Sequence, residues 1–313
     1  MNKVLAWLFG MLICAQAGAW APDRPIHVII AYKAGSGTDL GARLLVSKAQ
    51  QYLGQPLVIT NIPGNGGRDG WEQFLESPAD GQTLAFINIP TLTTFALQPD
   101  APFDLDDFVP VCNHLLETEA VVVSSSGPYR SLRDMVSIAK MRKSFKCATN
   151  GFQASNHTAA QLLAQSAGFN YQAVSRDNTK DQINALLHKE VDFICVKVSD
   201  IKQLLEEPRP QLRVLATFSR QRLKDMNDVP TLRELGYYPK WYGGARALVL
   251  PHGVTAEMVS FYEQAFKAMF DDPEIIEAHR QIGLNIDYMD HAELAKFIKD
   301  DEEFYRTVVK DLY

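Results

Sequence analysis

Two short glycine turns, each between an apolar strand and a helix, are where this chain could do chemistry. The first is Ala34-Gly35-Ser36-Gly37-Thr38-Asp39, preceded by Tyr32 and Lys33. Its glycines let a ligand approach the backbone. The helix that starts there offers unpaired N–H donors and a partial positive charge worth ~0.3–1 kcal/mol at a surface and up to ~2 when partly buried. A carboxylate fits such a site, and so does an ordinary tight turn capped by Thr38 or Asp39. The second turn, Asn150-Gly151-Phe152-Gln153-Ala154-Ser155-Asn156-His157-Thr158, repeats the arrangement of strand, polar glycine turn and helix start. Two such helix termini facing one cleft would grip both ends of a dicarboxylate. Ordering the helix start is a simpler role for His157 than direct ligation. Asn88 and Thr91, around the end of the third strand, join the ligand-binding set.

Catalytic chemistry has less support. Ser36 lies on a strand-to-helix turn, as a hydrolase nucleophile would, but the local string is not G-x-S-x-G. The seven histidines are dispersed and no H-E-x-x-H occurs, so no metal is expected. Gly64, Gly66 and Gly70 miss a dinucleotide fingerprint because Asp69 stands where glycine is needed, and no cofactor is expected. Asp104, Asp106 and Asp107 lack the glycine and closing glutamate of a calcium loop and read as a solvated turn.

The elements that must position these turns alternate. Strand Ile26–Tyr32, helix Thr38–Leu53 stopped by Gly54, strand Leu57–Thr60, a short helix near Trp71–Leu75 and strand Thr83–Ile89 predict a largely parallel sheet covered by helices. After strand Val121–Val123, the stretch Ser124–Pro128 reads as a crossing between lobes. The pattern then restarts with helix Leu132–Lys140, strand Phe145–Thr149, helices His157–Ala167 and Thr179–His188, and strands Val191–Val196 and Leu212–Thr217. Ala247–Leu250 reads as a returning strand, and three amphipathic helices follow, the last near Ala292–Val309. Two crossings predict a discontinuous first lobe, residues 20–124 with 246–313, and an inserted second lobe, residues 125–245, with a hinge between them.

A chain of 313 residues exceeds one ordinary core and suits two lobes of roughly 100–200 residues each. With 31 basic against 37 acidic residues and no basic face, nucleic acid is not an expected partner. Residues 1–19 have the layout of a secretory signal peptide, with Ala-x-Ala cleavage after Ala17 or Ala19 and a periplasmic destination. Cys112, Cys147 and Cys195 can form at most one disulfide and read as buried small hydrophobes.

Several spaced strings together resemble the extracytoplasmic solute receptors of tripartite tricarboxylate transporters, the Bug receptors. They are Tyr32 to Asp39, Asn61-Ile62-Pro63-Gly64-Asn65-Gly66-Gly67, Asp80-Gly81-Gln82-Thr83-Leu84, Pro102-Phe103-Asp104, and Asp228-Val229-Pro230-Thr231-Leu232 through Tyr237. The resemblance implies an α/β, two-lobed periplasmic-binding-protein fold of type II character, each lobe a mostly parallel sheet flanked by helices. It implies a monomer whose cleft closes on a small organic anion (a di- or tricarboxylate or an amino acid). It places the ligand carboxylate on Gly35 to Asp39 and on Gly151 to His157. Two departures bear on specificity. Lys33 stands beside the first turn, and Val174-Ser175-Arg176-Asp177-Asn178 replaces the usual Val-Pro-Tyr-Lys-Gly, which puts Arg176 and Asp177 in the binding set. If Lys33 and Arg176 face the cleft, they favour a ligand with a second anionic group. Membrane permease subunits are the expected partner, with a membrane sensor as the alternative; an exported hydrolase using Ser36 is the remaining reading.

Overall fold

The computed structural model describes residues 20–152 and 154–308. The expected signal segment, Gln153 of the second turn and the last expected helical residue, Val309, lie outside them. The chain opens with β1 (Ile26–Ile30), α1 (Gly37–Leu53), β2 (Leu57–Asn61), α2 (Arg68–Leu75), β3 (Thr83–Ile89) and α3 (Thr91–Ala96). It continues through β4 (Phe108–Ser124), α4 (Leu132–Met141), β5 (Lys146–Thr149), α5 (Ser155–Ala167), β6 (Gln172–Ser175), α6 (Thr179–Leu187), β7 (Phe193–Lys197), α7 (Val198–Leu205) and β8 (Leu212–Thr217). It closes with β9 (Gly243–Pro251), α8 (Ala256–Phe270), α9 (Pro273–Gln281), β10 (Ile286–Met289) and α10 (His291–Thr307).

Local signals account for much of this. Ser36 caps α1 by accepting from the Asp39 N–H, and Gly54 ends that helix in the left-handed conformation that glycine adopts without a Cβ penalty. Ala42, Leu45, Ala49 and Leu53 bury one face of α1 at helical spacing. Reciprocal capping boxes start α4 at Ser131/Asp134 and α10 at Asp290/Glu293. Asp104 and Asp107 form another such pair on a short turn, which is the use of that acidic run.

The strands follow the order β2-β1-β3-β9-β4-β7-β5-β6, with β8 and β10 also paired to β4. Pairing is parallel at both ends, β2-β1-β3 and β7-β5-β6, as strand–helix alternation requires. The strands that join those ends, β9 and β4, run antiparallel to their neighbours. Each lobe has apolar cores on both sheet faces. Leu45, Leu84 and Phe266 mark one face of the first lobe, and Trp71, Phe74 and Phe108 mark the other. In the second lobe, Phe145 and Phe193 face one way and Ile194 and Ile201 the other.

The crossing between lobes lies earlier than Ser124–Pro128. One strand makes it: β4 pairs with β9 as far as Thr118 and with β7 from Glu119 onward. The return lies at Tyr242–Gly243, where the Tyr242 carbonyl accepts from the Glu119 N–H at 3.2 Å. α10 does not belong to the first lobe alone. Tyr305 is buried in a second-lobe core, and its hydroxyl lies 2.9 Å from that of Tyr242. Cys112, Cys147 and Cys195 are free and buried. Among the described residues no helix is long and apolar enough to cross a membrane.

Backbones approach so closely at the return crossing that side chains are excluded. A Cβ on Gly243 would collide with the Glu117 carbonyl, and one on Gly244 would stand 2.6 Å from the Ile89 carbonyl. Neither obstacle is a side chain that could swing away. Gly243→Ala should therefore cost ~1–3 kcal/mol, read as a lower urea midpoint at unchanged m-value. An unchanged midpoint would show that the two strands can separate at this point.

Candidate functional site

A cavity of about 1030 Å³ lies between the lobes, and both glycine turns open onto it. A second cavity, about 740 Å³, lies beside α7, where apolar side chains such as Leu115, Val198 and Met226 are mixed with charged ones such as Lys202, Glu206 and Arg213. The first has the convergent polar groups that orient a small ligand.

On the first-lobe wall, Tyr32, Gly35, Ser36, Gly37 and Thr38 line the cleft, joined by Asn88 and Thr91. The Thr38 hydroxyl donates to Asn88 Oδ1 at 3.2 Å, tying the helix start to the end of β3. Asp39 is buried behind the turn and does not line the cavity. Its carboxylate accepts from the Gly35 N–H at 2.8 Å, Arg43 Nε at 2.9 Å and Asn61 Nδ2 at 2.9 Å. Burial opposes its ionisation, yet these bonds, led by Arg43, hold its carboxyl below the usual range. Asp39 thus shapes the turn from outside the cavity lining. Lys33 is exposed and outside the lining.

On the opposite wall, Asn150, Ser155, Asn156 and Asp177 face the cleft. An amide network fixes this turn: the Asn150 N–H donates to Asn156 Oδ1 at 3.1 Å, and Asn156 Nδ2 returns to Asn150 Oδ1 at 2.6 Å. Gly151 supplies the positive φ of 115° that the bend needs but does not line the cavity. His157 is buried behind the helix start against Tyr171, and burial lowers its pKa; it supports the turn and is not among the lining residues. Arg176 points away. Its guanidinium donates to Glu190 Oε2 at 2.5 Å and to the Ser175 carbonyl at 2.9 Å, beside a separate shallow cavity. The second anionic group that Lys33 and Arg176 would have favoured therefore has neither partner in the cleft.

The charged floor of the cleft went unread in the sequence. Arg246 on β9 is 4% exposed, and its Nη2 lies 2.8 Å from Glu117 Oε2. The same guanidinium presses on the first turn, since a Cβ on Gly37 would stand 2.7 Å from Nη2. Its Nε and Nη1 are buried without a hydrogen-bond partner among the described residues. Around it stand Lys197, with Nζ 3.8 Å from Glu117 Oε2, and Asp200, with Oδ1 3.9 Å from Arg246 Nη2. Ser199 donates to Glu117, and Ser155 donates to Glu119 Oε1 at 3.0 Å. Burial opposes ionisation of Glu117, but Arg246 and Lys197 hold its carboxyl below the ordinary value. Burial pushes Glu119 up to about 7, against the pull of Lys197. Burial and then the charge of Glu117 raise Asp200. Residues 117 and 119 are two apart on β4, and 197 and 200 are three apart at the start of α7, but no short-range spacing links these pairs to each other or to 246. The available signal was one arginine inside an otherwise apolar strand, Gly243–Pro251.

A family model described as "Tripartite tricarboxylate transporter family receptor" matches residues 41–313. The protein BugT of Bordetella pertussis is 27% identical over 327 residues, covering 99% of this chain and 98% of BugT. A Rhodopseudomonas palustris protein solved with adipate superposes with a TM-score of 0.83 at 21% identity, covering 93% of this chain and 98% of that one. MatC of the same organism, solved with malate, superposes with a TM-score of 0.78 at 22% identity, covering 92% and 99%.

Two outcomes test the placement of these charges. Arg176→Ala should leave ligand affinity within about twofold of wild type, because its partly exposed pair with Glu190 is of a kind worth ~0–1 kcal/mol and lies off the cleft; a larger loss by calorimetry would return Arg176 to the site. Glu119 sets a pH dependence of stability. In the unfolded chain it ionises first, so its contribution is full below about pH 4.5 and is lost as pH rises through about 7, an upper bound of ~3 kcal/mol. Glu119→Gln should flatten that slope, so that the variant gains on wild type in urea midpoint from pH 5 to pH 8. Parallel curves would place Glu119 in water.

Proposed function

The chain belongs to the tripartite tricarboxylate transporter receptor family, and from that premise we propose that it captures a small carboxylate-bearing solute in the interlobe cleft and passes it unaltered to membrane permease subunits. One observation carries this. The N-terminal turn of α1 and the buried Arg246 guanidinium converge on one point of the cleft wall, which gives a carboxylate both backbone donors and a countercharge. The Asn150–Ser155 turn on the other lobe faces the same cavity, so closure of the lobes would enclose the ligand.

Binding without turnover is supported by the use of the polar groups. Ser36 caps α1, and no described histidine lines the cleft to act as its base. Both walls come from one chain, which suits a monomeric receptor. Removal of residues 1–19 after Ala17 or Ala19 would release it to the periplasm.

A thermal-shift screen of mono-, di- and tricarboxylates and amino acids tests the function directly. A ligand at a hundred times its Kd should add about 2.7 kcal/mol of stability. Gly37→Ala should weaken every carboxylate ligand at least about tenfold, since its methyl displaces the guanidinium from the helix terminus and ~1.4 kcal/mol corresponds to that factor. Undiminished binding by Gly37→Ala would move the carboxylate elsewhere. Steady hydrolysis of an ester panel, abolished by Ser36→Ala, would make the protein an enzyme.

A further inference from the structure

The charges on the cleft floor are divided by sign. On the first-lobe side, the Arg246 guanidinium lies against Gly37 at the positive end of α1, an unfavourable place for a cation alone. Glu117 engages Nη2, while Nε and Nη1 stay buried with no hydrogen-bond partner among the described residues. A carboxylate seated there completes both features. On the second-lobe side, beside the start of α5, two carboxyl groups lie open. Glu119 Oε2 is buried without a hydrogen-bond partner among the described residues. Asp200 has one carboxylate oxygen 3.9 Å from Arg246 and the other accepting from the Thr179 hydroxyl at 3.2 Å. A second carboxylate in this region would meet Glu117, Glu119 and Asp200, offset by Lys197 and by an Arg246 already shared between Glu117 and the first carboxylate, and like charges repel more strongly away from water than in it. An ammonium group would satisfy the same acceptors.

We propose that the cleft selects a zwitterionic amino acid over a di- or tricarboxylate, its carboxylate on Arg246 and the Gly37 turn and its ammonium between Asp200 and Glu119. This rests on the receptor function above and narrows its ligand class. The cavity leaves room for a side chain along Leu40, Ile183, Leu187 and Leu204. Proton linkage supplies an independent sign. The titratable and charged groups around Glu119 are Glu117 on its own strand, Lys197 and Cys195 on β7, Cys147 on β5, Asp200 on α7, Tyr242 at the return crossing and Arg246 on β9. Burial holds Glu119 protonated up to about pH 7. A ligand ammonium favours the ionised form, so binding strengthens as pH rises from 6 to 8; a second carboxylate on the ligand gives the opposite trend.

The test is titration calorimetry of the whole exported protein against amino acids and their des-amino counterparts: L-glutamate with glutarate, L-leucine with 4-methylpentanoate, L-phenylalanine with 3-phenylpropanoate, each at pH 6 and 8. In the best-binding pair the amino acid should bind at least about tenfold tighter, a factor equivalent to ~1.4 kcal/mol, with a wider gap at pH 8. Glu119→Gln with Asp200→Asn should close that gap while the des-amino acid still binds. Because the gap compares two ligands on one protein, altered stability of the variant does not mimic the result. A des-amino acid or dicarboxylate that binds as tightly as its amino partner overturns the zwitterion proposal and leaves the carboxylate receptor standing. Failure of both series, together with simple carboxylates, overturns both.

Discussion

Arg246 and Glu117 sit 2.8 Å apart where the two long strands cross between the lobes, each side chain about 5% exposed. Taking two charges out of water is costly, and their attraction compensates only when the geometry is close and other polar groups share in it. Here Ser199 from α7 and Lys197 from β7 share in the Glu117 carboxylate. The pair thus draws together strand β9 of the first lobe, the crossing strand β4 and two second-lobe elements. Gly37 must lack a side chain because the guanidinium is there, and Asp200 is raised by burial and then by the charge of Glu117.

The two glycine turns are held in place by groups that never touch the cavity. Asp39 gathers donors from Gly35, Arg43 and Asn61, so the first turn is set before any ligand arrives. The second turn is locked by the reciprocal Asn150–Asn156 amides, with Asn156 also reaching Gln182 at 3.2 Å. Such preorganisation reduces the ordering cost of binding. The floor between them is different in kind: it carries buried donors and acceptors with no partner among the described residues.

Connection between the lobes is by packed elements and not by loose linkers. β4 and β9 pass through as paired strands, with Trp241 Nε1 donating to the Thr118 hydroxyl at 2.9 Å beside the crossing. α10 adds a third tie through Tyr305 and Tyr242. Any motion of one lobe against the other would have to be absorbed by twisting of these strands near Thr118–Glu119 and Tyr242–Gly243, where the pairing partners of β4 change.

The sequence by itself determined what short-range patterns encode. Strand–turn–helix at Gly35–Asp39 and Asn150–His157, the stop at Gly54, the alternation that makes both sheet ends parallel and the burial of the three cysteines all follow from residues within a few positions of one another. Tertiary structure decided the rest. β4 was legible only as Val121–Val123 because Asn113, His114 and Glu117 interrupt its apolar run, and those polar residues are buried by partners far along the chain. Arg176 looked like a ligand contact from its place in a motif, but Glu190 took its guanidinium outward. Glu117 and Glu119 stand two apart and Lys197 and Asp200 three apart, but nothing local ties either pair to the other or to Arg246, since a charge chooses its partner by distance in space and by the loss of water around it. Backbone conformation is largely a local property of sequence; the field inside a cleft is the sum of groups that only the completed fold brings within a few ångströms.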